Sequence, residues 1–199
     1  MTIESLLPLI LFALVSTITP GGATTLATAS GANFGFRRSI PVIGGFAFGL
    51  GSMAGAAAAG LGGVLMALPM LQIAMKTLGS LYLIWLAVRI GRSGQPRGAG
   101  QMARPTGFIA GVWMLWHNPK GWAMTMGAAA SFAALADSPL TLAMLLGLTF
   151  CVMAALSLAL WCALGQLFAR LLNAPWQWRV LNLMLACLLV LSIIPMWRD

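Results

Sequence analysis

The sequence predicts an all-α integral membrane protein, with six transmembrane helices as two inverted three-helix repeats and helices 1 and 4 broken near mid-membrane. Three observations carry that prediction. Of the 199 residues, 60 % are hydrophobic and only 7 % are charged, against about 25 % charged in soluble domains. The apolar residues form long runs rather than alternating, which selects helices over a β-barrel. The basic residues gather in the short links between runs, where they set topology. The net charge of +8 therefore points to no nucleic acid.

Helix 1 begins near Glu4 and is apolar over residues 6–18. The run Thr19-Pro20-Gly21-Gly22 then interrupts it, because proline lacks an N–H and clashes with the preceding turn. Helical character resumes over residues 23–32 and stops at Asn33-Phe34-Gly35-Phe36-Arg37-Arg38, where glycine and a basic pair are C-terminal signals. Helix 2 covers residues 39–68 and is dense in glycine. Its pairs Gly45/Gly49 and Gly51/Gly55 have the spacing that lets membrane helices approach closely. Packing inside one bundle is one use of that spacing, and a homodimer through helix 2 is the other. Pro69 marks a turn into helix 3, residues 71–90, which carries Lys76, Tyr82 and Trp85.

Residues 93–104 form a Gly-rich, basic, flexible linker. Helix 4 covers residues 106–134 and contains Trp116-His117-Asn118-Pro119-Lys120-Gly121-Trp122. Asp137-Ser138-Pro139 is a turn and helix start, helix 5 runs over residues 140–172, and Asn173-Ala174-Pro175 leads into helix 6, residues 176–196. Trp176, Trp178 and Trp197 are placed as interfacial anchors.

Loop charge gives the orientation. Arg37, Arg38, Arg89, Arg92, Arg97, Arg104, Arg170 and Arg179 follow helices 1, 3 and 5, whereas Lys76, Arg198, Glu4, Asp137 and Asp199 lie on the other side. The positive-inside rule places the linker in the cytoplasm and both termini outside it. The N-terminus lacks a basic n-region, so no cleaved signal peptide is expected.

The linker divides the chain into a first repeat, residues 1–92, and a second, residues 105–199. An odd number of helices in each inverts the second relative to the first. Each break falls about 22 Å into its run, and matched interruptions in inverted halves mark a transporter's binding site. Lipid cannot satisfy the carbonyls freed by a break, so such backbone must line protein or a cavity. An ionisable residue at that depth reads as functional. The candidate site is Thr19, Pro20, Gly21 and Gly22 from one break, and His117, Asn118, Pro119 and Lys120 from the other. N–H groups after each break favour a carboxylate, and Lys120 adds a full positive charge. Carbonyls before each proline, with Asn118 and Thr19, suit an ammonium group. The cargo that fits both is a zwitterionic amino acid. His117 is a candidate titrating group.

These residues resemble the LysE/RhtB type of amino-acid exporter. The family carries a Thr-Pro-Gly-Pro signature, then a glycine, an aromatic and basic residues, and an Asn-Pro-Lys signature in the second half. Here the corresponding residues are Thr19-Pro20-Gly21-Gly22, Gly35-Phe36-Arg37-Arg38 and Asn118-Pro119-Lys120. Gly22-Ala23 departs from the usual proline and polar residue, which loosens the first break and removes a side-chain ligand. The resemblance implies a multi-pass protein of the bacterial inner membrane that exports amino acids or related small metabolites, driven by the proton gradient.

Other functions fit less well. A metal exporter needs carboxylates or a Cys/His cluster within the membrane, and the helices hold no Asp or Glu. A thiol-electron carrier needs cysteines beside the breaks, but Cys151, Cys162 and Cys187 sit far from Pro20 and Pro119 in sequence and read as small hydrophobes. An intramembrane hydrolase needs a nucleophile with its base, or a metal pair. No enzyme activity and no cofactor are expected.

Overall fold

The computed structural model describes residues 3–61, 68–92, 106–191 and 193–194. Among the described residues the chain is built from helices and short connections, with no strand. Two helices are long and apolar enough to cross a membrane, and a third span is formed if the bent pair around Pro20 is taken together. The predicted linker 93–104 lies outside the described residues, as do Gly62, Gly63, Trp197, Arg198 and Asp199.

The first helix, α1 (Ile3–Ile18), stops two residues before Pro20. The chain turns by 60° and restarts as α2 (Gly22–Phe34). The Thr24 hydroxyl secures the restart by accepting the Gly21 N–H at 2.7 Å and donating to the Gly21 carbonyl at 2.9 Å. Gly35 ends α2 with φ 78°, a backbone conformation that costs a residue with a Cβ. The next helix, α3 (Phe36–Ala56), follows at once. Its first N–H group, on Phe36, is held by Gln166 Oε1 at 3.0 Å. Arg37 and Arg38 thus stand in the first turn of a helix rather than in a loop.

Helix 2 of the sequence analysis is a single helix over residues 39–68. The described part differs: α-helical geometry ends at Ala56, and a π-helical turn, Ala57–Leu61, follows. The cause is Gly60, whose φ of 108° is incompatible with an α-helix. The remaining helices among the described residues agree closely with their predicted pieces: α4 (Pro69–Gly91), α5 (Phe108–Trp116), α6 (Pro119–Ser131), α7 (Pro139–Leu171) and α8 (Pro175–Leu191). Four of these begin at a proline whose missing N–H is one the first turn would leave unpaired anyway. Ser138 caps α7 by accepting the Thr141 N–H at 3.1 Å.

The core lies where α3 and α7 cross, with α2 and α1 against α7 and α5 against α3. Leu9, Phe46, Met53, Leu146 and Phe150 are fully buried there. The outer pair α4 and α8 pack on each other. Large apolar side chains such as Val15, Ile109, Trp113 and Leu148 are exposed, as expected of a surface solvated by lipid rather than water.

Glycines set how closely the helices meet. A Cβ at Gly45 would strike the Phe108 carbonyl of α5, and one at Gly49 would stand 3.2 Å from Leu115 Cβ. A Cβ at Gly51 would stand 2.6 Å from the Gly147 carbonyl oxygen of α7, and one at Gly55 3.3 Å from the Ala143 carbonyl oxygen. Both glycine pairs of helix 2 are therefore spent on contacts within this chain, the first of the two uses that their spacing allows. The contact of α2 with α7 is reciprocal in the same way: Gly31 meets the Cys162 carbonyl and Gly165 meets the Thr28 carbonyl.

Candidate functional site at the paired helix breaks

The two breaks come together. Lys120, in the first turn of α6, sends its ammonium across to the other break. Its Nζ donates to the Thr19 carbonyl at 3.0 Å and to the Pro20 carbonyl at 3.2 Å. A Cβ at Gly21 would stand 3.2 Å from that Nζ, closer than ordinary contact, so the glycine leaves room for the lysine to arrive. Asn118 aims the lysine. Its Oδ1 accepts the Lys120 N–H at 3.0 Å, an N-cap that fixes where α6 starts.

Five carbonyls near the first break have identified donors. Val15 O accepts from the Thr19 N–H and hydroxyl. Thr17 O accepts from Ser157 Oγ at 2.9 Å, and Ile18 O from Trp161 Nε1 at 3.0 Å. Thr19 O and Pro20 O are left to the lysine. The second break is satisfied locally: Trp113 O by His117, Leu115 O by the Asn118 N–H, and Trp116 O by Trp122 Nε1 at 2.9 Å.

A cavity of about 40 Å³ opens between the breaks, lined by Thr19, Gly21, Gly22, Asn118, Lys120 and Gly121, among others. Thr17 and Thr24 add hydroxyls, and Phe46, Leu50, Met124 and Leu158 give apolar walls. At roughly 10–15 Å³ per water, this is space for about three waters and none for an amino acid. Cargo therefore needs the walls to part.

Of the predicted site residues, Thr19, Gly21, Gly22, Asn118 and Lys120 line this cavity. Pro20 contributes its carbonyl, and Pro119 is buried at the start of α6. His117 is not brought in. It is exposed beside Trp113, with ring centroids 4.2 Å apart and Nδ1 2.9 Å from the Trp113 carbonyl. Sequence reasoning missed Ser157 and Trp161, which clamp the first break from α7. Their signal was an i, i+4 pair of hydrogen-bonding groups on one face of an apolar helix.

Ser157 is 2 % exposed, and Ser157→Ala strands the Thr17 carbonyl. The expected cost is about 1–3 kcal/mol, seen as a fall in Tm of about 2–10 °C when the purified protein is melted in detergent. An unchanged Tm would show that the clamp carries no weight.

A family model described as LysE type translocator matches residues 14–192. The chain belongs to the LysE type translocator family. Members of this family are membrane transporters rather than enzymes. This LysE type translocator is 28 % identical over 179 residues to the cysteine/O-acetylserine efflux protein of Klebsiella pneumoniae subsp. pneumoniae, and the match covers 90 % of each chain. No solved structure matches it.

Proposed function

We propose that this translocator exports amino acids or related small zwitterionic metabolites across the bacterial cytoplasmic membrane, coupled to the proton gradient. The observation that carries this reading is the Lys120 ammonium, held between two helix breaks at the edge of a largely apolar cavity. A cation there with only carbonyls for partners suits an incoming carboxylate. The proposed site is Thr19, Pro20, Gly21 and Gly22 with Asn118, Pro119 and Lys120. Cysteine and O-acetylserine, named for the relative, are the first substrates to try. The test is efflux from preloaded cells with and without the protein. Faster release of one or both, slowed by a protonophore, is the expected result. Equal rates for every amino acid tried would remove the reading.

The proposed architecture is six spans in two inverted halves, residues 1–92 and 105–199, joined by a cytoplasmic linker at 93–104, with both termini outside. Support comes from the matched interruptions of α1/α2 and α5/α6, and from the pairing of α4 with α8, the last helix of each half. In a variant with Cys151, Cys162 and Cys187 changed to alanine, Ser93→Cys should resist an impermeant thiol reagent in intact cells. It should react once the membrane is opened. Labelling from outside would invert the topology.

A further inference from the structure

Resting on the reading of the cavity as a zwitterion site, we infer that the Thr19 and Pro20 carbonyls are its ammonium subsite and that Lys120 is the resident occupant, displaced only by exchange. Three other carbonyls at the first break have their own donors: Val15 from Thr19, Thr17 from Ser157, and Ile18 from Trp161. The Thr19 and Pro20 carbonyls instead receive an ammonium, at 3.0 and 3.2 Å. At the second break the Trp113, Leu115 and Trp116 carbonyls are satisfied by their neighbours. Gly21 shapes the subsite, since a Cβ there would press on Nζ.

The exchange conserves hydrogen bonds. A substrate carboxylate takes the lysine, the lysine leaves two carbonyls, and the substrate's own ammonium fills them. A cargo with only one of the two groups breaks the cycle. A carboxylate without an ammonium, such as a 2-hydroxy acid, leaves both carbonyls without a donor, one of them part-buried, and unmade bonds of that kind are expensive. An amine without a carboxylate, such as an amino-acid methyl ester, competes with a tethered ammonium of high effective concentration and gives the lysine no new partner. The substrate class is therefore free α-amino acids, with discrimination built into the empty state of the protein.

The full chain, purified in detergent, is melted with ethylammonium chloride or tetramethylammonium chloride at equal ionic strength. In Lys120→Met the subsite is vacant, and ethylammonium, which carries N–H donors, should raise Tm by about 2–4 °C over tetramethylammonium. The wild type should show no such difference. If Lys120→Met aggregates, extraction in ethylammonium should recover monodisperse protein and extraction in tetramethylammonium should not. Equal effects of the two salts on the variant, or the same ethylammonium shift in the wild type, overturn the subsite. Absence of amino-acid efflux from cells would instead remove the exporter reading while leaving this result intact. Among exported amino acids, the matching 2-hydroxy acid and methyl ester should compete at least tenfold more weakly, and equal competition by either would overturn the exchange.

Discussion

Lys120→Met should lower efflux per molecule of protein by about 30-fold or more, while the protein still accumulates in the membrane. Losing one partner of a buried, hydrogen-bonded charge pair costs roughly 2–5 kcal/mol of binding, and about 2 kcal/mol is about 30-fold. In the folded state two effects oppose each other. Removing the charge relieves an insertion cost of about 2.5–3.5 kcal/mol at mid-membrane. It also leaves the Thr19 and Pro20 carbonyls without their donor, the first of them exposed and the second part-buried, at about 1–3 kcal/mol for the latter. Net stability should therefore change little. Lys120→Arg keeps the charge but replaces a compact ammonium by a planar fork, beside a glycine where even a Cβ would stand 3.2 Å from Nζ. It should retain a fraction of the activity. The measurement is efflux from loaded cells, normalised to protein detected in the membrane. Near-normal export by Lys120→Met would make the lysine a structural cation and move the substrate elsewhere.

The second large effect is expected at the α2–α7 contact. Gly165→Val places a branched side chain where the Thr28 carbonyl already touches the glycine. The obstacle is backbone, which cannot rotate away, so the helices must separate. Overpacking typically costs about 1–3 kcal/mol, and α2 carries one side of the first break, so the expected loss is at the upper end of that range or beyond. Gly127→Ala is the control. Gly127 lies inside α6 with open space where a Cβ would go, and an alanine there should stabilise by about 0.4–1 kcal/mol through the unfolded chain. Melting both variants tests the idea. A Gly165→Val protein as stable as the wild type would mean that the helices are free to separate.

Much of this organisation was legible in the sequence because proline acts locally. Pro20 and Pro119 announce their own breaks, and α1 ends at Ile18 and α6 begins at Pro119. Charge placement and run length needed no tertiary information either. What could not be read is where side chains go across the fold. Lys120 was legible as a cation awaiting an anion, but its reach to carbonyls a hundred residues away depends on how the breaks face each other. Ser157 and Trp161 look like ordinary residues of an apolar helix until their donors are seen at α1. His117 sits beside the key residues in the chain, yet it ends on the outer face because one residue of helix turns a side chain by about 100°. The end of α3 was missed because glycine-rich membrane helices are common, and only the φ of Gly60 separates a break from a packing face.

At 1.5 Å per residue, the 33 residues of α7 measure about 50 Å, against about 30 Å of bilayer hydrocarbon. The excess is accommodated by tilting, by protruding, or by local thickening of the lipid. The helix that must adjust is also the one that clamps the Thr17 and Ile18 carbonyls. Acyl-chain length therefore bears on the first break: thin and thick bilayers should set α7 at different tilts and pull differently on α1. Transport rates measured in vesicles of short-chain and long-chain phospholipid should differ for that reason, with no change in any residue.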